Sequence, residues 1–167
     1  AREEAYALGD RAVLIIGGRI VQTGPVGEIF HNPRTPAAAR YAGIENILQG
    51  TVVWSDSTRL IMKAGDQQVT VQGSAPTGST VAAGIPGDRI TLVRKSRVTI
   101  NMSMNAILAT VADILPMEHV MKVRLDGTIP LTVSVRNGTG SQHPYSPGEQ
   151  VTALFSPKDV QLLQPDP

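Results

Sequence analysis

Methionine and histidine gather once in this sequence. Met102, Met104, Met117 and Met121 lie in one stretch, with His119 between the last two. Thioethers with an imidazole suit a soft cation such as Cu(I). The same residues serve as flexible filling along strands or at an interface, and that role is favoured, because the sequence does not bring their two strands together. His143 stands in a Gly-Ser-Gln-His-Pro loop and reads as a solvated histidine. Arg89, Arg94, Lys95 and Arg97 form the only basic cluster. Single-stranded nucleic acid would need stacking side chains beside them. Trp54 is the only Trp, and Phe30 and Phe155 are the only Phe, so a solvated linker or a face toward a partner subunit is the better reading. Ser, His and Asp occur, but none in a G-x-S-x-G context that would mark a hydrolase nucleophile.

Composition narrows the classes further. There is no Cys, hence no disulfide framework, thiolate metal site or Cys nucleophile. No apolar run approaches the ~18 residues of a membrane-crossing helix. The opening Ala-Arg-Glu-Glu is too polar for a signal peptide. A net charge of +1 gives no strong field for nucleic acid or anionic lipid. Sixteen Gly and twelve Pro, abundant Val, Ile and Thr, and 4% aromatics describe a turn-rich, mainly β protein.

The elements that must position any site fall into two regimes. Residues 3–8 are helix material, 11–16 a continuously apolar strand of the kind buried on both faces, and Gly17-Gly18 a hairpin turn into 19–22. A helical turn over 26–30 ends at Asn32-Pro33, and Thr35-Pro36 caps a helix over 37–41. So small a segment cannot cover both faces of 11–16, and it reads as the tail of a larger α/β domain. From Asn46 onward the pattern is all-β, with strands expected at 47–54, 58–62, 68–71, 80–85 and 89–92. Then it restarts. Residues 105–111 echo 46–52, 148–153 echo 78–83, and 160–162 echo 90–92. Two copies of a five-stranded unit, each a small barrel, are the economical reading, joined by a link over 94–102.

The opening residues resemble a known family. The stretch Glu3-Glu4-Ala5-Tyr6-Ala7-Leu8-Gly9-Asp10-Arg11-Ala12-Val13-Leu14 is similar to the segment after the switch histidine of ABC-transporter ATPases, HDxxEAxxLADRxxVL. Residues 18–30 resemble the GRIVQxGxPxEI stretch that follows there, and Asn32-Pro33 with 41–46 resembles the exit helix leading to C-terminal regulatory barrels. The remainder resembles the tandem barrels of TOBE or molybdate-binding-protein (MOP) type, nearest to molybdate/tungstate importers through residues 102–105, 126–133 and 146–155. The resemblance implies a mainly β fold: tandem OB-like five-stranded barrels over 45–95 and 103–165, preceded by an ABC ATPase remnant over 1–44.

It also implies a site. The family's Ser-x-Arg-Asn and Lys-Ala-Ser stretches hold a tetrahedral oxyanion by hydroxyls, N–H groups and a cation. Here Met102 and Met104 stand at the Ser and the Arg, and Phe155-Ser156-Pro157-Lys158-Asp159 replaces Lys-Ala-Ser. The implied oxyanion set is Ser103, Met104, Asn105, Ser156 and Lys158. The competing assignment makes Asn105 the cap of a turn and Ser156-Pro157 a corner.

These 167 residues lack the Gly-rich loop ending in Lys-Ser/Thr, the magnesium-binding Asp and the signature motif of an ATPase, and His31 does not replace the switch histidine. The expectation is therefore a non-enzymatic region without its own cofactor. The full-length protein would use ATP and Mg, and molybdate or tungstate would be the ligand. The resemblance further implies a homodimer through the barrels, a membrane permease as partner of the ATPase domain, no nucleic acid and no membrane insertion. The place would be the cytoplasmic side of a prokaryotic membrane. Alternatives are purely structural dimerisation barrels of an importer for sugar, polyamine, sulfate or iron, and an OB-type nucleic-acid binder.

Overall fold

The computed structural model describes residues 2–94, 103–136 and 145–166. Lys95, Arg97, Met102, His143 and most of the link over 94–102 lie outside the described residues. The leading segment contains α1 (Arg2–Leu8), β1 (Arg11–Ile16), β2 (Arg19–Pro25), α2 (Val26–His31) and α3 (Pro36–Tyr41). Gly17 and Gly18 take φ of +59° and +77°, the left-handed pair that a two-residue hairpin turn requires. Thr35 caps α3, its hydroxyl accepting the Ala38 N–H at 3.2 Å, with Pro36 in the first turn.

Only one side of the β1–β2 hairpin is covered. Leu14 packs on Ile29 and Ala38. Val13, Ile15 and Ile20 remain 51%, 60% and 63% exposed. Among the described residues the apolar run is not buried on both faces, because α2 and α3 supply a layer on one side of a two-stranded ribbon.

The β region is the expected repeat. The first copy has β3 (Asn46–Ser55), β4 (Arg59–Ala64), β5 (Gln67–Gln72), β6 (Thr80–Ile85) and β7 (Thr91–Arg94). The second has β8 (Asn105–Pro116), β9 (Val120–Asp126), β10 (Leu131–Arg136), β11 (Gln150–Phe155) and β12 (Gln161–Leu163). Corresponding backbone bonds recur. The Val52 and Val111 N–H groups donate to the Ser79 and Glu149 carbonyls, both at 2.9 Å. Gly78 and Gly148 return bonds to Val52 and Val111 at 2.7 and 2.8 Å. A bulge follows at the same place in each copy, between Val52 and Trp54 and between Val111 and Asp113.

The last strands are exchanged. β12 pairs with β6 and β5 and closes the first barrel, in the order β12-β5-β4-β3-β6. β7 pairs with β11, Val151 opposite Arg94, giving a second sheet in the order β10-β9-β8-β11-β7. Neither β7 nor β12 closes the copy it follows in sequence. Short 3-10 corners, Gly87–Arg89 and Pro157–Asp159, precede these strands. The first corner is seated so tightly on β10 that a Cβ on Gly87 would meet the Thr132 carbonyl at 2.8 Å. That seating carries the chain toward the other sheet. One continuous core, from Leu48 to Val160, runs through both.

Candidate oxyanion site

The residues expected to hold an oxyanion are placed by the start of β8 and by the corner after β11. These meet because Phe155 is paired with Asn105. Asn105 is buried, and both ends of its amide are hydrogen-bonded. Its Oδ1 accepts the Thr70 N–H at 2.8 Å and its Nδ2 donates to the Thr70 carbonyl at 2.9 Å. Asn46 does the same in the first copy, accepting the Thr132 N–H at 2.6 Å and donating to the Thr132 carbonyl at 2.9 Å. Each asparagine thus fastens the first strand of its copy to the third strand of the other. Ser156 caps the 3-10 corner, accepting the Lys158 N–H at 3.3 Å. Ser103 is exposed, and Met104 is 37% exposed and has no strong donor to offer. Lys158 lines a cleft between the leading segment and the two sheets.

That cleft, about 970 Å³, separates the end of the leading segment from the two sheets. His31, Glu45, Arg89, Lys122, Ser134 and Lys158 are on its wall. On that wall the Glu45 carboxylate gathers three donors. The Lys122 ammonium bonds to Oε1. The Ser134 hydroxyl donates to the same oxygen at 3.1 Å, and the Gly87 N–H donates to Oε2 at 2.8 Å. Lys122 also reaches Ser134 Oγ at 2.6 Å. Burial by itself would push the Glu45 carboxyl up, but hydrogen bonds from Lys122 and Gly87 and the Lys122 charge outweigh it and hold the carboxyl below its ordinary value. An ammonium, a hydroxyl and an N–H converging on one anion is the donor chemistry of an oxyanion site.

This cluster was not among the residues singled out from the sequence. A signal for it exists in the repeat: aligning Asn46 with Asn105 puts Glu45 opposite Met104. Lys122 and Ser134 are cross-strand partners, but on sheet faces that local pattern does not single out.

Among the described residues the other sequence clusters do not assemble. Met121 is buried in the core, Met117 is exposed, and His119 is paired with its neighbour Glu118 at the surface. Among the described residues no group of three His, Asp or Glu side chains could hold a metal ion. Of the basic cluster, Arg94 is bound to Glu149 at 2.6 Å and lies 5.8 Å over the Tyr145 ring. No described helix is long and apolar enough to cross a membrane.

No protein-family model matches the chain. The molybdate/tungstate import ATP-binding protein WtpC of Pyrococcus horikoshii is 29% identical over 162 residues, 96% of this chain and 44% of that protein. The chain is related to importer ATP-binding subunits. The spermidine/putrescine import ATP-binding protein PotA of Frankia alni is also similar, 26% identical over 98% of the chain and 37% of its own length. The chain therefore spans less than half the length of these relatives. The molybdate-bound structure of the cytoplasmic molybdate-binding protein ModG matches 72% of the chain and 96% of its own, with a TM-score of 0.62 at 18% identity. At that identity the likeness speaks for the fold: OB-like barrels of the ModG kind.

Proposed function

We propose that this chain is the C-terminal regulatory region of an importer's ATP-binding subunit, and that its paired barrels bind the transported oxyanion, molybdate or tungstate. Residues 1–44 are then the tail of the nucleotide-binding domain, followed by the two sequence units 45–95 and 103–165. The observation that carries the anion reading is the convergence of Lys122, Ser134 and the Gly87 N–H on the Glu45 carboxylate, beside a cleft whose wall also bears Arg89 and Lys158. The uncovered Val13, Ile15 and Ile20 support the tail reading, since they want an apolar layer that the described residues do not provide. The proposed assembly is a homodimer through the barrels, with the missing domain engaging a permease at the cytoplasmic membrane face. No catalytic step is assigned to these residues. Control follows by linkage: the anion inhibits or licenses import only through its differential affinity for two arrangements of the subunits.

Calorimetric titration with molybdate, tungstate and sulfate tests the reading. Binding of molybdate or tungstate, with a matching rise in thermal midpoint, is the expected result. No heat and no shift with any of them would overturn it. One second reading has a specific observation behind it. Asn105 and Ser156 are engaged in backbone bonds and Met104 offers no strong donor, as purely structural barrels would have it.

A further inference from the structure

Glu45 sits at the joint of the molecule. It follows α3 by a few residues, and Asn46, its neighbour, begins β3. Ile44 packs with Ala39 and Leu163, Asn46 clamps Thr132, and between them Glu45 reaches across to Lys122 on β9 and Ser134 on β10. The joint is therefore tied to the second sheet partly through a carboxylate that accepts from three donors.

The cradle is built once. In the second copy Met104 stands at the place of Glu45, and Pro157 stands at the place of Gly87 and has no N–H. Lys122 pairs across the strands with Ser134, while the matching pair in the first copy is Arg59 and Gln72. Acceptor and backbone donor are present together in one copy and missing together in the other. Gly87 also lacks the Cβ that would come within 3.1 Å of Glu45 Oε1 and 3.0 Å of Ser134 Oγ. A tetrahedral oxyanion presents the same acceptor edge as a carboxylate, with more charge. Around the cradle Arg89, Lys158 and His31 face the cleft, with Asp88 and Asp159 opposing them in charge.

We infer that Glu45 occupies the anion cradle as a built-in competitor, so that a tetrahedral dianion binds Lys122, Ser134 and the Gly87 N–H by displacing it and so unfastens the joint from the second sheet. The inference rests on the oxyanion reading above and adds its regulation: the ligand acts by exchange with a residue between the leading segment and the barrels. A competitor that fills the site most of the time lowers apparent affinity by the fraction of time the site is open.

The test is titration of the 167-residue chain and its variants at fixed ionic strength with molybdate, tungstate, sulfate and phosphate. Glu45→Gln and Glu45→Ala should bind about tenfold tighter or more than the unaltered chain. Lys122→Met added to Glu45→Ala should abolish the gain. Amide exchange gives a second readout. The Gly87 N–H should exchange faster in Glu45→Ala and become protected again when the anion is added. A gain confined to molybdate and tungstate supports control by a transported ligand, and a gain with all four anions supports a general dianion seat. Folded Glu45 variants that bind no better than the unaltered chain overturn the inference. If every variant binds molybdate equally, anion binding by the barrels stands with its seat elsewhere than Lys122, and this inference falls. If no variant binds any anion, both fall.

Discussion

A buried amide can satisfy the N–H and C=O of a neighbouring strand at once, and Asn46 and Asn105 each do so. Asn105→Ala leaves the Thr70 N–H and carbonyl without those partners. A loss of about 2 kcal/mol is expected from denaturant unfolding, with molybdate affinity unchanged. An unchanged midpoint with weakened anion binding would return Asn105 to the ligand set. Glu45 gives a pH-dependent prediction. Its folded value lies below the ordinary 4.5, so its carboxylate stabilises the fold above about that pH, and the contribution fades as pH falls through the folded value. The gap in thermal midpoint between the unaltered chain and Glu45→Gln should be full near neutrality and close in acid. A gap that widens below pH 4.5 would contradict this sign.

At the scale of elements, the repeat was legible because it is written in local signals: left-handed Gly78 and Gly148, the alternating apolar strands, and Asn46 and Asn105 at the strand starts. The exchange of β7 and β12 was not legible. Both strands are short, with two apolar residues each, and nothing in three or four residues states which sheet they will join. The site was hidden for the same reason, since Glu45, Lys122 and Ser134 meet only after the copies pack on each other. The likeness to Ser-x-Arg-Asn drew notice to Met104 and Asn105, where the chemistry is absent or already engaged. Two variants test the topology. Gly87→Ala must push against the Thr132 carbonyl and Ser134, and should cost about 1–3 kcal/mol in unfolding experiments. Ending the chain at Val160 removes β12 and bares the edges of β5 and β6. That truncation should lower the thermal midpoint sharply and promote association seen by gel filtration, because open edges pair with other chains. An unaffected monomer would argue against closure by β12.

The exchange and the shared core set how the whole molecule should unfold. Two independent barrels would melt separately, each being near the size at which a single core is marginal. Here each sheet needs a strand from the other copy, the asparagine clamps cross between copies, and one core runs through both. Separating them would open the edges of β5, β6 and β11 and expose core side chains, so neither half retains a stable partner. The β region should therefore unfold in one cooperative transition. Trp54, the only tryptophan, lies on β3 and reports the first barrel by its fluorescence. Far-ultraviolet circular dichroism reports both sheets. The two denaturant curves should coincide, and Asn105→Ala, although it sits on β8, should move the Trp54 curve as far as the dichroism curve. A Trp54 transition that stays in place while the dichroism midpoint shifts would mean that the barrels fold apart, and that the joint at Glu45 has no shared body to act on.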